Sequence, residues 1–519
     1  MKHFTLDLSS ATEPLYKNWE FCIGSCHAST ALRADWQQQL TRCQREIGYR
    51  YIRFHGLFDD DMSVVRKPVF GSELLLSFVN IDKIFDFLLS INMKPFVEIG
   101  FMPECLASGT KTIFHYKGNT TPPRDYSQWS WLIDEFTKHL IQRYGRAEVR
   151  QWFFEIWNEP NLGGPDSPYG FWSADMQEYF RLYKVTVEAI KGVDPFLKVG
   201  GPATSNNAWI PEMLEFCRES HTPIDFISTH HYPTDIVLGY GVEDSANFSN
   251  PLKDLSKAVK RMSDPETSED FKKEYAVFQS HLWEHVDRGV LTEMTKRAVA
   301  DAKGLPVYYT EWGSLAGLPS DGPFGASFIS KTVLDGHGLA AGYSFWTFSD
   351  IFEENGQESH AFFGGFGLMT QHGIPKAPYR AFELLHELGN EIYKKMADGT
   401  VDVYAVKKSV AGALQFMLVN HHSLLHPIET ESIRLDLKHS GSCISAEIKR
   451  IDEKHANALA AWQQMGSIEY LSKGQAAALY AASEITTEHL EYYQEEEDIT
   501  LDIELPPMGI ALVTLYFNK

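Results

Sequence analysis

The sequence predicts an α/β protein: a (β/α)8 barrel, the TIM barrel, carrying an accessory antiparallel β-sandwich domain. Three observations predict it. Eight strand-like apolar runs alternate with amphipathic helical stretches through the first two thirds of the 519-residue chain, and such alternation implies a parallel sheet. Most of those runs end in carboxylates, imidazoles or indoles, at the edge where a barrel gathers its ligands. Beyond the eighth run the texture changes to short segments of alternating polarity, the pattern of antiparallel strands with one face buried.

A chain of this length is too long for one ordinary core, so more than one domain is expected. The barrel is assigned to residues 14–355 and the accessory sandwich to 356–519, joined by a strand within 1–13, where Phe4-Thr5-Leu6-Asp7-Leu8 alternates. The eight runs cover residues 19–26, 49–56, 93–101, 152–161, 197–203, 224–232, 306–313 and 341–350. A helix around 36–47 leads into the second. After the fourth, Met176, Phe180, Tyr183, Val187 and Ile190 recur at steps of four and three, one face of a helix. Ser173 is its expected N-cap, and Gly192 with Pro195 its stop. Past the eighth run, a helix near 379–395 precedes strands at 401–406, 413–419, 431–437, 443–451, 499–505 and 509–517, interrupted by a helix around 474–485. The acidic run 491–498 reads as solvated surface.

A formal charge of −22 repels phosphate, which argues against nucleic acid or an anionic membrane as partner. The N-terminus carries no signal-length apolar core and no stretch approaches a membrane span, so a cytoplasmic protein is expected. Cys22, Cys26, Cys43, Cys105, Cys217 and Cys443 lack framework spacing and read as reduced, mostly buried thiols. His281-Leu282-Trp283-Glu284-His285 matches a zinc-protease pattern, but it sits in a charged amphipathic connector and reads as a helix-surface cluster. No metal site and no organic cofactor is expected.

The polar run ends are Arg53 and His55; Glu98; Asn158 and Glu159; His230, His231 and Tyr232; Glu311 and Trp312; and Trp346, Ser349 and Asp350. Glu159 ends the fourth run and Glu311 the seventh, three βα units apart, which sets them facing across the barrel mouth. A carboxyl walled by Trp152, Phe154 and Trp157 is expected to hold its proton through desolvation. Facing carboxylates among tryptophans suit glycoside hydrolysis, one protonating the leaving oxygen and the other attacking the anomeric carbon or activating water.

The motifs Glu155-Ile156-Trp157-Asn158-Glu159-Pro160 and Tyr309-Thr310-Glu311-Trp312 resemble those of retaining (β/α)8 glycosidases. Arg53-Phe54-His55-Gly56, Gly100-Phe101-Met102-Pro103, Lys117-Gly118-Asn119-Thr120-Thr121-Pro122-Pro123, the stretch 345–354, Gly364-Gly365-Phe366-Gly367-Leu368 and Trp462-Gln463-Gln464-Met465-Gly466 are similar to glycoside hydrolase family 39, best known for β-xylosidases. The resemblance implies Glu159 as acid/base, Glu311 as nucleophile, and Asn158 on the sugar 2-hydroxyl. It implies that His55, His230 and Tyr232 line the same subsite, that Arg53 keeps Glu311 ionised, that Trp346 is a sugar platform, and that Glu354 with Glu353 binds distal hydroxyls. It implies release of xylose from short xylo-oligosaccharides, without cofactor, by a homo-oligomer (dimer or tetramer). An arabinoside, glucoside or galactoside would use the same chemistry, and a non-catalytic carbohydrate-binding protein would keep the cleft. The sequence departs from the family pattern at Trp312-Gly313-Ser314 and in the long segment 233–305, both beside the expected site.

Overall fold

The computed structural model describes residues 1–71, 73–167, 170–235, 283, 286–408 and 412–518. Eight parallel strands close into a barrel: β1 (Cys22–His27), β2 (Tyr51–His55), β3 (Lys94–Ile99), β4 (Phe153–Ile156), β5 (Lys198–Ser205), β6 (Phe226–His231), β7 (Val307–Trp312) and β8 (Gly342–Phe345). Each predicted run overlaps its strand; β1 and β5 run past the predicted ends to His27 and Ser205, and the other six strands are shorter than their runs. Trp19 lies in a short 3-10 turn before β1, and 346–350 form a loop after β8.

Eight of the described helices pack outside: α1 (Ala34–Ile47), α2 (Val79–Ser90), α3 (Tyr126–Tyr144), α4 (Met176–Val193), α5 (Ile210–Ser220), α6 (Val290–Asp301), α7 (Pro323–Asp335) and α8 (Ala377–Glu387). Trp36, Leu40, Cys43 and Ile47 form the buried face of α1, and Gly48 ends it in the left-handed region at φ 83°, where a glycine costs no Cβ clash. The cap of α4 is Asp175, whose carboxylate accepts from Glu178 N at 2.8 Å. Ser173, the expected cap, instead shares a hydrogen bond with Thr120 Oγ1, and Gly192 lies inside the helix. The helix expected at 379–395 ends at Glu387, because Glu391–Ile392 pairs antiparallel with the first sandwich strand.

Strand parity decides what the barrel contains. Phe96, Phe153, Phe226 and Tyr308, with Tyr51 and Phe21, point inward at the starts of their strands and stack on one another, Phe96 on Phe153 with centroids 5.1 Å apart. This aromatic plug closes the bottom. Two residues further along the same strands, side chains on the same face are Arg53, Glu98, Glu155 and Thr310. Polar groups thus begin one layer above the plug.

The accessory part holds β9 (Val401–Lys408), β10 (Ala413–Asn420), β11 (Glu431–Lys438), β12 (Cys443–Ile451), β13 (Asp498–Leu505) and β14 (Ile510–Phe517). Two sheets face each other over a core that includes Val403, Phe416, Leu435, Ile448, Leu501 and Val513. The N-terminal strand Lys2–Asp7 joins the smaller sheet, as expected, but runs parallel to β11. A short strand, Tyr493–Glu495, forms within the acidic run, whose surface is largely exposed. Between the two parts, Arg288 donates to Asp402 Oδ2 (2.5 Å) and to the carbonyls of Gly399, Thr400 and His421, while Tyr404 Oη donates to Asp335 on α7 (2.6 Å).

Candidate active site

Arg53, on β2, has no exposed surface and organises the barrel mouth. Its Nε donates to Glu155 Oε2 (2.7 Å), Nη1 to Glu311 Oε1 (2.6 Å), and Nη2 to Asn158 Oδ1 (2.8 Å), with Glu98 Oε2 2.9 Å from Nη2. One guanidinium therefore faces three buried carboxyl groups, more negative charge than it can neutralise. Burial pushes Glu98 up to about 7, against the pull of Arg53. His55 Nδ1 lies 2.8 Å from Glu98 Oε2, and burial drives this imidazole down to about 3, so it is neutral.

Glu159 and Glu311 come from different devices. The backbone leaves β4 through two left-handed residues, Trp157 (φ 72°) and Glu159 (φ 42°), that bracket Asn158. Non-glycine residues in this region carry strain, which clusters at functional sites. Glu159 N donates to Ala203 O at 2.8 Å, which ties the turn to β5. Glu311 sits on β7 where the pairing with β6 slips register after Thr229, so Thr310 and Glu311 both reach the interior. Such irregularities re-aim side chains.

One oxygen from each of Glu159 and Glu311 and a nitrogen of His230 lie within 4.8 Å of one another. Tyr232 Oη donates to Glu311 Oε2 (3.1 Å), and His230 Nδ1 lies 3.0 Å from Glu159 Oε1. Burial, and then the charge of Glu311, pushes the Glu159 carboxyl well above the ordinary range. Burial also raises Glu311, opposed first by the charge of Arg53. The pair therefore divides, the proton residing on Glu159 and the charge on Glu311 under its guanidinium. Glu159, His230 and Glu311 are metal-ligating types at close spacing, but a cation, Arg53, already lies 2.6 Å from Glu311.

The structure brings Arg53, His55, Asn158, Glu159, His230, Tyr232, Glu311 and Trp346 together, and adds Glu354, whose Oε1 is 4.0 Å from His55 Nε2. Trp346 packs against His55 at 4.7 Å between centroids. Its indole lies against Gly24, where a Cβ would come within 2.6 Å of the ring. Glu353 separates from this group: its oxygens meet His27 Nδ1 at 3.6 Å and Arg33 Nη1 at 3.8 Å. His27 in turn stacks on Tyr116 at 3.8 Å and faces Asp61 at 3.1 Å and Asp59 at 3.7 Å. Burial opposes its charge, but Asp61, Glu353 and Asp59 override it and hold His27 up to about 9.

Several expected neighbours point elsewhere. Trp152 packs outward on Phe85 and Tyr144, Phe154 is on the opposite parity from Phe153 and Glu155, and Trp157 donates to Phe171 O and packs on Trp172. The expected wall of Trp152, Phe154 and Trp157 is therefore wrong: strand alternation sends Trp152 and Phe154 outward, and Trp157, past the end of β4 at φ 72°, turns onto Phe101 and Trp172. Aromatic rings near His55 come instead from Phe114, which packs on Phe171, and from Trp346. Trp312 packs outward on Phe328, Ser349 donates to Gln39, and Asp350 pairs with Lys376 at 2.6 Å. Of the segment 233–305, residues 236–282, 284 and 285 lie outside the described residues, and with them all of the His281–His285 motif except Trp283. Sequence reasoning missed Glu155 and Thr310, although Glu155, two residues after Phe153 in an apolar run, carried the signal.

A model of the Glycosyl hydrolases family 39 matches residues 3–265 and 270–496. The chain belongs to this family. It is thus a glycoside hydrolase, and the family is a retaining one. A protein of Caldicellulosiruptor saccharolyticus named beta-xylosidase is 45% identical over 522 residues, covering 98% of each chain. One of Geobacillus stearothermophilus with the same name is 36% identical, covering 90% of this chain and 86% of its own. The crystal structure of a monomeric beta-xylosidase from Caulobacter crescentus shares the fold over 100% of both chains, with a TM-score of 0.78 and 29% identity.

Proposed function

We propose that this family 39 enzyme is an exo-acting β-D-xylosidase that releases xylose from the non-reducing end of short xylo-oligosaccharides by double displacement. The observation that carries the mechanism is the pair Glu159 and Glu311, with carboxyl oxygens within 4.8 Å. That spacing agrees with the ~5–5.5 Å separation of retaining enzymes better than with the ~6.5–9.5 Å of inverting ones. The name shared by the two bacterial relatives supports the sugar. The departure at Trp312 does not count against it, since that side chain packs away from the cleft.

In this reading Glu311 attacks the anomeric carbon while Glu159 gives its proton to the leaving oxygen. Glu159 then takes a proton from the water that frees the sugar. Arg53 and Tyr232 hold Glu311 as the nucleophile. Asn158 Nδ2 is buried without a protein partner among the described residues, which supports its donating to the 2-hydroxyl. His55 and His230 line the same subsite, Trp346 is its platform, and Glu354 takes distal hydroxyls, with Glu353 at the rim. Residues 14–355 form the catalytic unit in this proposal, with α8 returning to its wall, and 356–519 with strand 1–13 the accessory one.

Among the described residues no helix is long and apolar enough to cross a membrane. The six free cysteines support a reducing compartment and hence a cytoplasmic site. A dimer or tetramer is proposed on the resemblance alone, and light scattering decides it. The activity is tested on aryl β-D-xyloside, α-L-arabinoside, β-D-glucoside and β-D-galactoside. The xyloside is expected to be preferred, with Glu159→Gln and Glu311→Gln each losing about 1,000-fold or more. Activity that survives Glu311→Gln overturns the assignment.

A further inference from the structure

A chain of hydrogen bonds behind the acid/base residue reaches no sugar and is not required by the reaction described above. His230 Nε2 lies 3.1 Å from Thr310 Oγ1, and Thr310 Oγ1 lies 2.7 Å from Glu155 Oε1, whose Oε2 accepts from Arg53 Nε at 2.7 Å. All four side chains are buried, at 1% exposure or less.

Proton counting fixes the direction of this chain. A threonine hydroxyl has one proton to give. Glu155, with one oxygen against a guanidinium, is an acceptor, so the Thr310 proton goes to Glu155. Thr310 Oγ1 is then left only as an acceptor toward His230, which places a proton on His230 Nε2. His230 is neutral, since burial and then the charge of Arg53 push its imidazolium far down. A neutral imidazole carries one N–H, so Nδ1 has none, and Nδ1 is the atom 3.0 Å from Glu159 Oε1.

We propose that Thr310 and Glu155 are positioning residues that lock His230 in its Nε2–H tautomer, so that Nδ1 accepts a hydrogen bond from protonated Glu159 and keeps the acid loaded. The bare Nδ1 lone pair favours Glu159 with its proton and disfavours the carboxylate, whereas the other tautomer would do the reverse. The inference rests on Glu159 being the acid/base.

The test is the pH profile of kcat/KM on phenyl β-D-xyloside, a substrate whose leaving oxygen needs a proton, for the unmodified enzyme, Thr310→Val, Thr310→Ser and Glu159→Gln. Thr310→Val removes the acceptor at Nε2, which frees His230 to donate from Nδ1 to a Glu159 carboxylate. The basic limb is expected to move about one pH unit toward acid, the scale of one hydrogen bond transferred between protonation states. Thr310→Ser is expected to restore it, and Thr310→Ala serves if the valine variant does not fold. A basic limb unmoved in the folded variant, with Glu159→Gln lacking that limb, overturns the tautomer lock and leaves the acid/base assignment standing. A basic limb that persists in Glu159→Gln overturns the assignment and the lock with it.

Discussion

A guanidinium without exposed surface, holding acceptors from β3, the end of β4 and β7, makes Arg53 the residue on which the charge of the site depends. Lysine is a point charge and cannot serve four acceptors in a planar fan. Arg53→Lys is expected to lower kcat/KM by about 100-fold or more, on the scale of losing a preorganised contact to the reacting charge. It should also move the acid limb of the pH profile upward as Glu311 takes a proton more readily. An unmoved acid limb would sever Arg53 from Glu311. Glu98 offers a stability test. Its folded pKa, about 7 against 4.5 in the unfolded chain, contributes stability that is complete below pH 4.5 and lost as pH rises through 7. The loss is of order 3 kcal/mol. In Glu98→Gln the decline in unfolding free energy between pH 5 and pH 8 is expected to flatten by roughly that amount, read by denaturant titration at each pH. At this scale the sequence disclosed the residues that end the runs and hid those inside them. Asn158, Glu159 and Glu311 stand beside strand ends, whereas Glu155 and Thr310 lie within apolar runs, where only inward or outward parity reveals a role. Trp152 and Phe154 have the opposite parity to Glu155 and face outward, a difference that an unbroken apolar run conceals.

Strands carry the alternation that sorts plug from site. Phe153 stacks on Phe96 and Tyr308 at the bottom of the barrel, two residues below Glu155. Phe153→Ala is expected to cost about 3–5 kcal/mol by denaturant titration, the price of an aromatic cavity, with KM unchanged well below the Tm. A KM that shifts in step with stability would mean that plug and site are not separate layers. All eight barrel runs and the six longest accessory strands, β9 to β14, were legible, since their apolar content and spacing are local properties. The ends were less so. Asp175 caps α4 in place of Ser173 because capping depends on which oxygen reaches the third amide, and α8 stops at Glu387 because a sheet edge claims Glu391–Ile392. Both are settled by tertiary contacts.

Barrel and sandwich are joined by buried charge. Asp402, almost wholly buried, receives Arg288 at 2.5 Å and Lys395 at 2.8 Å. Asp402→Ala would leave Arg288 with backbone carbonyls alone and Lys395 with Asp335 alone, and is expected to cost about 3 kcal/mol. By calorimetry it should split a single unfolding transition into two; one transition at an unchanged Tm would mean that this network does not couple the parts. The parallel pairing of Lys2–Asp7 with β11 adds a further tie that no local pattern encodes, since it joins the two ends of the chain. The account of the whole molecule converges on one claim, that Glu311 and Glu159 cleave a xyloside with retention. The most direct measurement is the anomeric configuration of the first xylose released, followed by proton NMR before mutarotation. β-Xylose is the predicted product, and α-xylose would contradict the double displacement.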